Sequence, residues 1–67
     1  MVGKYSALQK DCLTVIKKCN KLIMAARLCQ ARCIMDDPGG VVIQTEEMHG
    51  IASDLAKFCE TINFESI

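Results

Sequence analysis

A chain of 67 residues has room for one small domain at most, and a single core of that size is worth only a few kcal/mol, so self-sufficiency is in question. Half of the residues are apolar but the aromatic ones are only Tyr5, Phe58 and Phe64, a palette of Leu, Ile, Val, Met, Ala and Cys that favours packed helices over a sheet. The formal net charge of zero hides a segregation by sign: residues 1–35 carry seven basic side chains against Asp11 alone (+6), and the rest carries seven acidic ones against Lys57 alone (−6).

From Leu8 the apolar residues Leu8, Cys12, Val15, Cys19, Leu22, Ala26, Cys29 and Cys33 follow one another in steps of four and three, an uninterrupted heptad seam that predicts a long helix over about 5–36. Ser6 followed by Gln9 has the spacing of a capping box at its start, and Gly3 is expected to precede it. Beside the seam lie Tyr5, Ile16, Ile23 and Ile34 on one flank and Leu13, Met24, Ala31 and Met35 on the other, which leaves a narrow polar face.

The charge changes sign at Asp36-Asp37-Pro38-Gly39-Gly40, where the residue before a proline is biased out of the helical region, so a turn is expected over 37–44. Val41-Val42-Ile43 is β-branched and is expected to run extended or helical up to Thr45. Thr45 as N-cap, with Glu46 and Glu47 in the first turn where the helix dipole favours carboxylates, predicts a second helix over about 45–63. Val41, Met48, Ile51, Leu55, Phe58 and Ile62 form its apolar stripe, widened by Ala52 and Cys59.

The fold class expected is therefore all-α: an antiparallel two-helix hairpin in which a basic helix folds back on an acidic one. A helix of about 31 residues spans about 46 Å and one of about 19 spans about 28 Å, so the first is expected to overhang the second around Leu8, Cys12, Val15 and Ile16. Covering those side chains calls for a second hairpin, giving a four-helix bundle, or an unlike helical chain.

Five cysteines would suggest a disulfide framework in a secreted chain. No apolar leader-like segment with a cleavage site and no apolar run long enough to span a bilayer is seen, so a reducing, cytoplasmic setting is expected, with the thiols as small core residues. A zinc shell built from Cys29, Cys33 and Cys59 or His49 lacks a tight C-x2-C pair, so no metal or other cofactor is expected. His49, the single histidine, has no nucleophile and orienting group to complete a catalytic set, and no paired carboxylates face each other; enzyme activity has no support.

The function these residues point to is a protein–protein interaction module, an adaptor, assembly subunit or small chaperone, with Leu8, Val15, Ile16, Leu22, Ile23, Leu55 and Phe58 as the side chains that carry association. The runner-up is a dimeric nucleic-acid-binding regulator that presents Lys10, Lys17, Lys18 and Lys21 to phosphates, with Tyr5 as the sole weak candidate to stack on bases. A thiol or metal sensor is the third reading.

Overall fold

The computed structural model describes residues 5–62, and among these every regular element is α-helical: α1 over Ser6–Ile34 and α2 over Pro38–Thr61. The two helices pack along their lengths as an antiparallel hairpin, since Lys18 meets Asp54 while Cys29, farther along α1, meets Thr45, earlier in α2. The expected position of Gly3 and the last expected residue of helix 2 lie outside the described residues.

The start of α1 differs from the capping box that Ser6 and Gln9 suggest. Tyr5 is the N-cap, no side chain caps the end, and Ser6 is already helical; the Gln9 N–H donates to the Tyr5 carbonyl at 2.8 Å. At the other end the chain closes a Schellman motif. The Asp36 N–H donates to the Cys33 carbonyl at 3.1 Å and the Asp37 N–H to the Arg32 carbonyl at 3.0 Å, which satisfies two of the last carbonyls of α1. Asp36 takes the left-handed conformation this motif requires, at φ 53°, where a Cβ is unfavourable. Asp36→Gly should therefore raise the stability by about 0.5–1 kcal/mol, read as a higher urea midpoint at unchanged slope.

The start of α2 is a larger correction. The helix begins at Pro38 and not at Thr45, so the connection is three residues long and Val41, Val42 and Ile43 are helical. Two local devices outweigh the β-branched preference. Pro38 at the first helical position has its φ preset, and the Asp37 carboxylate accepts from the Gly40 N–H at 3.1 Å as a true N-cap. Gly40 is needed for this geometry, because a Cβ there would run into the capping carboxylate of Asp37 and would stand 2.8 Å from Cδ of Arg32. The glycine pair thus belongs to the first turn of a helix. Thr45, one turn further on, donates its hydroxyl to the Val41 carbonyl at 2.8 Å, and Glu46 and Glu47 fall outside the first turn.

With 29 and 24 residues, α1 and α2 span about 43 and about 36 Å, so the expected overhang of α1 shrinks to about 7 Å. Leu8 and Val15, expected in that overhang, are half-buried, whereas Cys12 and Ile16 are exposed.

The seam is also rotated. With Leu8 as position a of a heptad, the row of α1 that turns inward is Leu8, Asp11, Val15, Lys18, Leu22, Ala25, Cys29 and Arg32, that is a and d, each of them at least half-buried. The apolar row read from the sequence combined a with e. Of that e column, Cys19 and Ala26 are half-buried and Cys12 and Cys33 are exposed, so the core reading of the cysteines is not met within one hairpin. α2 presents Val41, Gln44, Met48, Ile51, Leu55, Phe58 and Ile62, its expected stripe with Gln44 added.

Ala25 is the single fully buried residue among those described, at 2% exposure, and it fills the d position midway along α1. It is the position of α1 most completely covered by the rest of the hairpin. One polar atom is stranded in this thin interface: Oε1 of Gln44 is buried without a hydrogen-bond partner. An unpaired buried acceptor costs about 1–3 kcal/mol, so Gln44→Leu should stabilise the hairpin by about 1 kcal/mol, measured as a rise in melting midpoint.

Candidate functional site

In the d column of α1, Lys18 answers the acidic helix. Lys18, half-buried, donates to Asp54 Oδ2 and lies 5.5 Å from the centre of the Phe58 ring, so its stem covers apolar surface while its ammonium finds a charge and a π face. This hydrogen bond, and then the Lys18 charge, holds the Asp54 carboxyl below its ordinary value of 3.8; Lys21 and Lys57 act in the same direction and desolvation opposes them. A lowered folded value means that the pair's contribution is present at neutral pH and is lost as pH falls through that value, below the ordinary carboxylate range. Arg32 reaches Asp37 Oδ2 at 3.5 Å and so braces the turn. These are the two ion pairs among the described residues, and both are partly exposed, so they fix register more than they add stability.

The residues singled out for association divide into two groups. Leu8, Val15, Leu22, Leu55 and Phe58 are half-buried on the rows where α1 and α2 face each other, whereas Ile16 and Ile23 stand outside at 53% and 48% exposure. The basic set divides too. Lys10, Lys17 and Lys21 are exposed on one side of α1, and Lys18 is engaged within the chain.

What apolar periodicity in α1 alone did not reveal is the sidedness of the hairpin. In an antiparallel pair the e positions of both helices lie on one broad face and the g positions on the other, and the contacts settle which is which: Cys29 at a meets Thr45 at e, with sulfur and hydroxyl 3.9 Å apart, while Lys18 at d meets Asp54 at g. On the e side, the b and e positions of α1 run Gln9, Cys12, Ile16, Cys19, Ile23, Ala26, Gln30 and Cys33, and those of α2 run Val42, Thr45, His49, Ala52, Ala56 and Cys59. None is Asp, Glu, Lys or Arg. The opposite side carries Lys10, Lys17, Lys21, Glu47, Asp54 and Lys57. The signal was present in the sequence, but only when both helices are laid in register.

Four of the five thiols, Cys12, Cys19, Cys33 and Cys59, belong to the uncharged face. The Cys33 thiol is pushed up from its ordinary value, by desolvation first and then by the neighbouring Cys29. Among the described residues no group of three or more His, Cys, Asp or Glu is placed to hold a metal ion, and no helix is long and apolar enough to cross a membrane. His49 is exposed. No family model, curated protein or solved structure matches this chain.

Proposed function

We propose that this helical hairpin is a non-enzymatic interaction module of a reducing, cytoplasmic setting, an adaptor, assembly subunit or small chaperone that buries apolar helix surface against a second helical chain. The observation that supports it is the imbalance between core and surface: one described residue is buried, while ten large apolar side chains are exposed, from Tyr5 and Leu13 to Val42 and Ile43. Scattered exposed apolar residues are ordinary, but two helices whose described residues expose ten large apolar side chains and fully bury only Ala25 lack the core an independent domain needs. Nucleic-acid binding has less support, since Lys18 is held by Asp54 and Phe58 and the stripe keeps three of its four lysines.

Light scattering after size exclusion, in reducing buffer over a concentration series, tests the reading together with thermal melting. A module that completes its core by association shows either an oligomer whose melting midpoint rises with concentration or a partly folded monomer. A fully helical monomer with a sharp, concentration-independent transition would remove the reading.

A further inference from the structure

Resting on the reading of the hairpin as an interaction module, we infer that the occupant of its uncharged face is a second copy of the same chain, docked face to face so that α1 of each copy lies on α2 of the other. Ile16 and Ile23 are exposed at the centre of α1's share of that face, flanked by Cys12 and Ala26, and Ala52 and Cys59 continue it on α2. Most side chains between them are short (Cys12, Cys19, Ala26, Ala52, Ala56 and Cys59), so a second pair of helices can approach closely over the middle of the face, with Gln9, Gln30 and His49 as its longer polar members.

Two observations select a like chain. The first is area. Two helices side by side, each about 10 Å wide and overlapping for about 36 Å, present about 700 Å², close to the roughly 800 Å² per partner of a standard stable interface. The second is charge. Within the helices α1 carries six basic residues against Asp11, a net +5, and α2 carries Glu46, Glu47, Asp54 and Glu60 against Lys57, a net −3. A two-fold axis parallel to the helices, between the two faces, sets every α1 beside two α2 helices, its own and its partner's, both antiparallel to it and both of opposite sign. A two-fold across the helices would stack α1 on α1; the docking face itself carries no charge, but the like-charged flanks of the helices would then lie side by side, a long-range repulsion that the parallel axis avoids. The chain is thus self-complementary for one arrangement, a four-helix dimer with both turns at the same end.

In that arrangement the e column of the apolar row read from the sequence joins the b column in a second seam. α2 of the same chain packs on a and d; the second copy packs on e and b.

The test is the native mass by light scattering and the helicity by circular dichroism for the full chain and for Ile23→Glu, Ala52→Glu and Met24→Glu. The result expected is a wild-type dimer whose dissociation constant rises on the order of a hundredfold with a carboxylate at Ile23 or Ala52 and stays unchanged with one at Met24, on the other side of α1. Both positions are exposed in the single hairpin, so loss of the dimer should leave a soluble monomer, and Ala52→Glu repeats the test on the other helix. A dimer broken at Met24 and not at Ile23 or Ala52 overturns this face while leaving the module reading intact. A partly folded wild-type monomer overturns the second copy and leaves an unlike helical partner; a monomer that is fully helical and stable overturns both. A short bismaleimide added to a mixture of light and nitrogen-15 chains reads the axis by mass spectrometry. Mixed Cys12–Cys59 links are expected because those residues lie at the same level of the hairpin, and mixed Cys12–Cys33 links would overturn the arrangement.

Discussion

Leu22→Asp should abolish the helical circular-dichroism signal and, with it, any association of the chain. Leu22 occupies the a position between Val15 and Cys29 and lies half-buried against the acidic helix. Removing a leucine from such a place costs about 2–5 kcal/mol before the penalty of seating a carboxylate there. Lys18, one turn earlier, offsets part of that penalty, yet it is already engaged by Asp54. A hairpin with one fully buried residue has no reserve of that size. Leu13→Asp is the control, because Leu13 is 59% exposed at an f position and the same change there should leave the helicity within error. A Leu22→Asp variant that stays helical would take Leu22 out of the seam.

The second large effect is expected at Ala25. Adding three carbons at the one fully buried described position should force the helices apart or the side chain out of its preferred rotamer, so Ala25→Leu should lose about 1–3 kcal/mol although leucine is a good helix former. Ala25→Ser, nearly the same size, should lose less than half as much. Melting curves of the two variants at one concentration decide the matter. A Leu variant as stable as the parent would mean that the helices do not close on this residue.

These two positions also show how far the sequence can be read. The extent of α1 was legible, because the apolar period runs unbroken from Leu8 to Cys33 and Pro38 forbids continuation. The start of α2 was not, since Asp-Pro-Gly-Gly reads as a turn and the three β-branched residues leave extended and helical courses open until the Asp37 cap is seen to close over Gly40. The a column of the seam was legible and its companion was not. Apolarity favours the e column, Cys12, Cys19, Ala26 and Cys33, over Asp11, Lys18, Ala25 and Arg32, but the hairpin takes the polar column. The small Ala25 allows close approach, the long stems of Lys18 and Arg32 cover apolar surface, and the acidic helix supplies a partner for Lys18; none of these is visible along α1 by itself. The association residues followed the same pattern, for five of the seven are used inside the chain and the uncharged face appears only from the pairing of both helices.

The three-residue connection sets the order of events in folding as well as the register. Every hydrogen bond that builds it, from Ala31–Met35 through Arg32–Asp37 to Asp37–Gly40, closes over at most five residues, whereas Lys18 and Asp54 are 36 apart. Closing a short loop sacrifices less chain entropy, so the turn end should assemble first and the helices zip toward the open end, within roughly microseconds to milliseconds for so local a topology. The open end, where Leu8, Val15 and Phe58 lie, is then the last to form and the first to fray. Changes near Asp37 should therefore slow folding, while changes near Val15 and Phe58 should mainly hasten unfolding and shorten the lifetime of the folded chain.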